Sequence, residues 1–158
     1  MKASYAVSFG TGGTTIHDAD YATVAGGYGN TIGVTGLYTK HDGDVVYDTS
    51  YATIAGGYNN EIVKGGFDVV GGGSSNYVYG YSSTIRGGNG NRIHGDYGYI
   101  LTGNNCTVGG MITRGEWSQD EGMSSYGVVM GGQRNTAAGN VPGKPNILGD
   151  GASFGVCD

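Results

Sequence analysis

YATVAGGYGNTI at residues 21–32 returns almost unchanged as YATIAGGYNNEI at residues 51–62. Four further twelve-residue segments align with this pair without gaps: FDVVGGGSSNYV (67–78), SSTIRGGNGNRI (82–93), YGYILTGNNCTV (97–108) and YGVVMGGQRNTA (126–137). A weaker copy, YAVSFGTGGTTI, precedes them at 5–16. Successive starts among the six lie 30, 16, 15, 15 and 29 residues apart. The basic period is about 15 residues, and two gaps read as double periods. Self-similarity of this kind signals a stacked-repeat architecture, in which no single unit can bury its own apolar face.

The twelve columns of the alignment carry the physics. Column one is aromatic at Tyr21, Tyr51, Phe67, Tyr97 and Tyr126, with Ser82 as the exception. Column four is always β-branched: Val24, Ile54, Val70, Ile85, Ile100 and Val129. Column seven is glycine in all six segments, which suggests positive φ or close backbone approach. Column ten is asparagine except at Cys106, and column twelve is Ile or Val except at Ala137. Each repeat reads as a strand, a tight glycine turn and a second strand. Asparagine suits the turn edge, where it bonds neighbouring backbone. Stacked level on level, like residues meet in aromatic, aliphatic and asparagine ladders. The expected fold is all-β: a β-solenoid of about 15-residue coils. It would have about nine coils and be roughly 40 Å long at the ordinary inter-strand spacing.

Composition agrees with a regular, glycine-rich object. There are 35 glycines in 158 residues, 13% charged residues and two prolines, which exclude collagen. A hydrophobic share of 37% with 13 tyrosines argues against a disordered chain. The net charge of −5 makes a nucleic-acid surface unexpected. No apolar run reaches the length of a membrane span, so no membrane insertion is expected. MKASYAVSFG lacks the apolar core of a secretory signal. Cys106 and Cys157 cannot make a disulfide framework, which suits a reducing compartment.

With column four facing inward, columns three and five face outward. Val69, Tyr99, Leu101, Val128 and Met130 then form an apolar outward stripe, the candidate trimer interface. A roll this thin holds little core, so self-association as a homotrimer is expected to bury the stripe.

YATVAGGYGNTI and YATIAGGYNNEI resemble the short GGxxN-type repeats of phage tail-fibre and virion-surface proteins. They are also similar to the β-roll head repeats of trimeric autotransporter adhesins. The resemblance covers about residues 5–137. It implies a homotrimeric, elongated, virion-exposed or extracellular protein without catalysis. Autotransporter heads carry a signal peptide, a coiled-coil stalk and a membrane anchor, and the sequence shows no heptad run and no fibre adaptor. A self-contained knob therefore fits virion decoration better than a complete fibre.

Residues 1–137 form the repeat region, with insertions at 33–50 and 109–125, and 138–158 form a terminal cap or extended arm containing both prolines. Interruptions of a solenoid often carry function. The first holds Tyr38, Lys40 and His41; the second holds Arg114, Glu116 and the sole tryptophan, Trp117. An exposed Trp beside Arg and carboxylates suits a carbohydrate platform or a protein contact. The alternative is that each gap contains a degenerate coil in which Trp117 merely packs.

His17, His41 and His94 lie in turn-like segments with a nearby aspartate. One His and two Asp per loop give too few donors for a tight calcium site, so no metal or cofactor is expected. No Gly-x-Ser-x-Gly, His-Glu-x-x-His or phosphate loop is present. A regular Thr-x-Thr ice-binding face is absent too. The expected function is a non-enzymatic decoration or knob protein on a phage particle, made in the host cytoplasm. Its partners would be itself and the major capsid protein or another virion protein. The alternative is a tail-fibre tip or adhesin head recognising a host-surface glycan.

Overall fold

A computed structural model describes residues 5–17, 19–33, 49–109 and 127–137. Among these residues the chain is all-β, built as two parallel seven-stranded sheets. The first contains Val7–Ser8, Thr23–Val24, Thr53–Ile54, Val69–Val70, Thr84–Ile85, Tyr99–Ile100 and Val128–Val129. These are columns three and four of successive repeats. The second sheet contains Thr15–Ile16, Thr31–Ile32, Glu61–Lys64, Tyr77–Tyr79, Arg92–Ile93, Thr107–Val108 and Thr136–Ala137, starting at column eleven. The chain alternates between sheets, an arrangement compatible with a β-solenoid. A third line of parallel bridges joins column eight from Gly12 through Tyr28, Tyr58, Ser74, Asn89 and Asn104 to Gln133.

Pairing is column to column. Thr23 sits beside Thr53, and Val24 beside Ile54, although 30 residues separate them. Tyr99 and Ile100 likewise pair directly with Val128 and Val129. In the second sheet, Thr31 lies beside Glu61 and Thr107 beside Thr136. The long gaps therefore insert no strand between their flanking repeats in either sheet. The double-period reading and its degenerate coils are corrected. Seven levels stack where about nine were expected, and the described stack is ~30 Å long at one inter-strand spacing per level. In both sheets the ladders run directly from the strand before each gap to the strand after it.

The core lies between the sheets. Column-four residues Val24 to Ile100 and column-twelve residues Ile32 to Val108 are fully buried, so the strand phase read from alternation is right. Column two adds Ala22 and Ala52. Asn30, Asn60, Asn76 and Asn91 of column ten are buried with them rather than sitting at a turn edge. Asn60 donates its backbone N–H to Asn30 Oδ1 at 2.9 Å. Its Nδ2 donates to Gly56 O at 3.0 Å in its own turn and to Gly73 O at 3.1 Å in the next level. The same pattern continues through Asn76 and Asn91. Cys106 ends the run: its N–H donates to Asn91 Oδ1 at 3.0 Å, and its buried thiol lies 3.1 Å from Gly132 O.

Three corners of the repeat are left-handed. Column seven is one, as expected: Gly57 has φ of 94°, and a Cβ there would collide with the Gly73 carbonyl oxygen of the next level. Columns nine and one are the others. Asn59, Ser75, Asn105 and Arg134 occupy column nine at φ between 50° and 57°. Tyr5, Tyr21, Tyr51, Phe67, Ser82 and Tyr97 occupy column one at φ between 52° and 64°. An aromatic residue at positive φ is strained, so something must offset that cost at every level.

Candidate functional site

Ring stacking supplies an offset where column one is aromatic. Column-one side chains leave the left-handed corner pointing away from the core, and each meets the one above. Tyr5 and Tyr21 stack at 5.2 Å and 9°, Tyr21 and Tyr51 at 5.0 Å and 6°, and Tyr51 and Phe67 at 4.9 Å and 1°. Where column one is Ser82, the preceding residue Tyr81 supplies the ring. It meets Phe67 and Tyr97 edge-on, at 77° and 80°. Every described ring of this row is exposed, from 42% at Tyr81 to 78% at Tyr5. A second stacked pair, Tyr28 and Tyr58, is also exposed, with centroids 5.8 Å apart. Sequence alignment reveals the row; its exposure and left-handed backbone were not legible there.

The stripe formed by columns three and five lies on the first sheet and just beyond it. Met130 is 69% exposed and Val69 37%, while Tyr99, Leu101 and Val128 are half-buried. The candidate binding residues Tyr38, Lys40, His41, Arg114, Glu116 and Trp117 lie outside the described residues. Their points of departure are described. The described residues stop at Gly33 and at Gly109, each just after column twelve, and resume at Thr49 and at Gly127, on either side of column one. Both therefore open at the same corner, four levels apart.

That corner also carries ionisable residues. His94 is buried, with burial and then the Arg92 charge holding its pKa below the usual histidine value. Its ring lies 5.7 Å from that of Tyr77. Lys64 Nζ lies 5.2 Å from the Tyr79 ring centroid. Burial raises the Glu61 pKa. Asp96 Oδ1 accepts from Tyr81 N at 2.9 Å, a bond across levels rather than within a local turn. Among the described residues no group of three His, Cys, Asp or Glu is placed to hold a metal ion, and no helix is long and apolar enough to cross a membrane.

Asp68 occupies column two, where neighbouring levels have Ala52 and Ser83. It is fully buried; Oδ1 accepts from Ser83 N at 2.7 Å, and Oδ2 has no hydrogen-bond partner. Burial, reinforced by the Asp96 charge and opposed by the Ser83 bond, raises its pKa to about 8. The carboxyl is thus held neutral inside the stack. Gly65 packs closely against it: a Cβ there would lie 2.8 Å from Oδ2.

No family model and no curated protein matches the chain.

Proposed function

We propose that this chain is a non-enzymatic structural protein on the surface of a phage particle, a homotrimeric β-solenoid of about 15-residue coils that decorates the shell. The observation that supports this reading is the run of exposed apolar and aromatic side chains along the stack, including Met130, Val69 and the column-one rings. Such a run favours packing against other protein surfaces over turnover of a small molecule. Decoration works by multivalent contact: several copies held together dock on a repeating shell with gains in avidity that one copy cannot reach.

A second reading, a receptor-binding tip that grips host-surface glycan, is favoured by the shared corner of the two insertions. This reading assigns binding to Tyr38, Lys40, His41, Arg114, Glu116 and Trp117 of the insertions at 33–50 and 109–125. Purified protein offered stripped capsids and host-cell envelopes side by side separates the two. Binding to capsids alone is expected for decoration. Binding to envelopes alone, lost in Trp117→Ala and Arg114→Ala variants that keep their oligomeric state, would replace it with the receptor reading.

A further inference from the structure

The geometry points to the column-one aromatic row, rather than the column-three and column-five stripe, as the surface on which copies of this chain pack together; this rests on the homotrimer reading above. Four features select it. The row is uncharged at Tyr5, Tyr21, Tyr51, Phe67 and Tyr81. It is large: half-exposed aromatic rings of about 200 Å² each give on the order of 600 Å². That reaches the upper end for the largest apolar patch of a monomer and approaches the ~800 Å² one partner contributes to a standard interface.

The third feature is which part of each ring is offered. Tyr21 and Tyr51 each have both faces covered by stacked neighbours. Only edges and hydroxyls face out, so a sugar has no ring face to lie on along this segment. The fourth is period. The stacked rings repeat every 4.9–5.2 Å. An irregular protein surface meets such a row at isolated points. A second copy aligned parallel carries the same spacing, so a contact made at one level recurs at the next. The occupant of the row is therefore another copy of this chain.

Sedimentation of the whole chain and two variants tests this. One replaces Tyr21, Tyr51 and Phe67 with serine, the residue column one itself carries at Ser82. The other carries Val69→Thr and Met130→Ala, residue types native to columns three and five. The expected result is a wild-type trimer, a dissociated row variant and an intact stripe variant, all with the same far-UV circular dichroism. Should the triple variant lose its β signal, Tyr21→Arg replaces it: arginine still stacks on a ring but puts a charge in the row. Its trimer affinity should fall at least about tenfold, as for a central interface residue. A wild-type trimer that survives row variants but dissociates with the stripe variant overturns this inference and leaves the trimer standing. A wild-type monomer overturns both.

Discussion

Asn60 joins three levels of the stack through one side chain. Its Oδ1 accepts from Asn76 N and Asn76 Nδ2 at 3.1 and 3.0 Å, while its Nδ2 reaches Asn30 Oδ1 and two carbonyls. Alanine there strands the buried Asn76 N–H and removes several bonds at once. Each stranded buried group costs about 1–3 kcal/mol, so Asn60→Ala should lose about 3 kcal/mol or more by urea denaturation. A loss below about 1 kcal/mol would show that water replaces the ladder. Cys106 is the converse case, since its N–H donates to Asn91 Oδ1 but its side chain offers no amide onward. Cys106→Asn should extend the ladder toward Asn135 and stabilise by about 1 kcal/mol, read as a raised Tm. Asp68 sets a pH dependence. The folded carboxyl keeps its proton to about pH 8, whereas an unfolded aspartate releases it near 3.8. The folded state then binds more protons across that window, so stability falls as pH rises through it and levels off above about pH 8. His94, with its lowered pKa, acts in the opposite sense below the ordinary histidine range, and Glu61 in the same sense as Asp68. Both remain in an Asp68→Ser variant. Comparing urea midpoints of the two proteins near pH 5 and pH 9 isolates Asp68, and the variant should lose much less stability on going alkaline.

Most of the described strands are two residues long, below the ordinary range for a strand. They persist because every level extends ladders already formed. Column one shows how the terms balance: a left-handed aromatic costs about 1 kcal/mol or more, and each stacked pair returns about 0.5–1.5 kcal/mol. A double-mutant cycle on Tyr51→Ala and Phe67→Ala should give a coupling of about 0.5–1.5 kcal/mol; additive losses would mean that the 4.9 Å stack contributes nothing beyond its area. The strand phase and the buried Ile/Val columns were legible in the sequence, because period-two alternation reports which side chains face inward. Backbone φ was not. Glycine marked column seven, but an aromatic is the residue least expected at positive φ, and nothing in the spelling of Tyr21 or Tyr51 announces it. Tyr81 was missed for a related reason: it fills the ring row from one position outside its column. The gaps misled because distance along the chain was read as distance along the stack, whereas pairing follows side-chain likeness.

At the scale of the whole molecule, the first and last described levels differ. Ser8 in column four of the first is exposed, while Val129 in the same column of the last is only 4% exposed. The first repeat places Ser8 where every later level has Val or Ile, so the stack's opening level is polar in its own core column. Between the ends the levels are interchangeable in kind. Residues 82–96 span one complete period, from Ser82 to the residue before Tyr97. A second copy of that segment inserted after Asp96 should fold and lengthen the particle by ~5 Å in small-angle scattering, one inter-strand spacing. A chain that instead keeps its length and exposes its tyrosines would show that the levels are not equivalent. Column-to-column pairing thus makes reach a counted quantity. Duplication or loss of a short stretch of gene moves whatever is carried at the far end by whole steps of a fixed ruler, without redesigning any level in between.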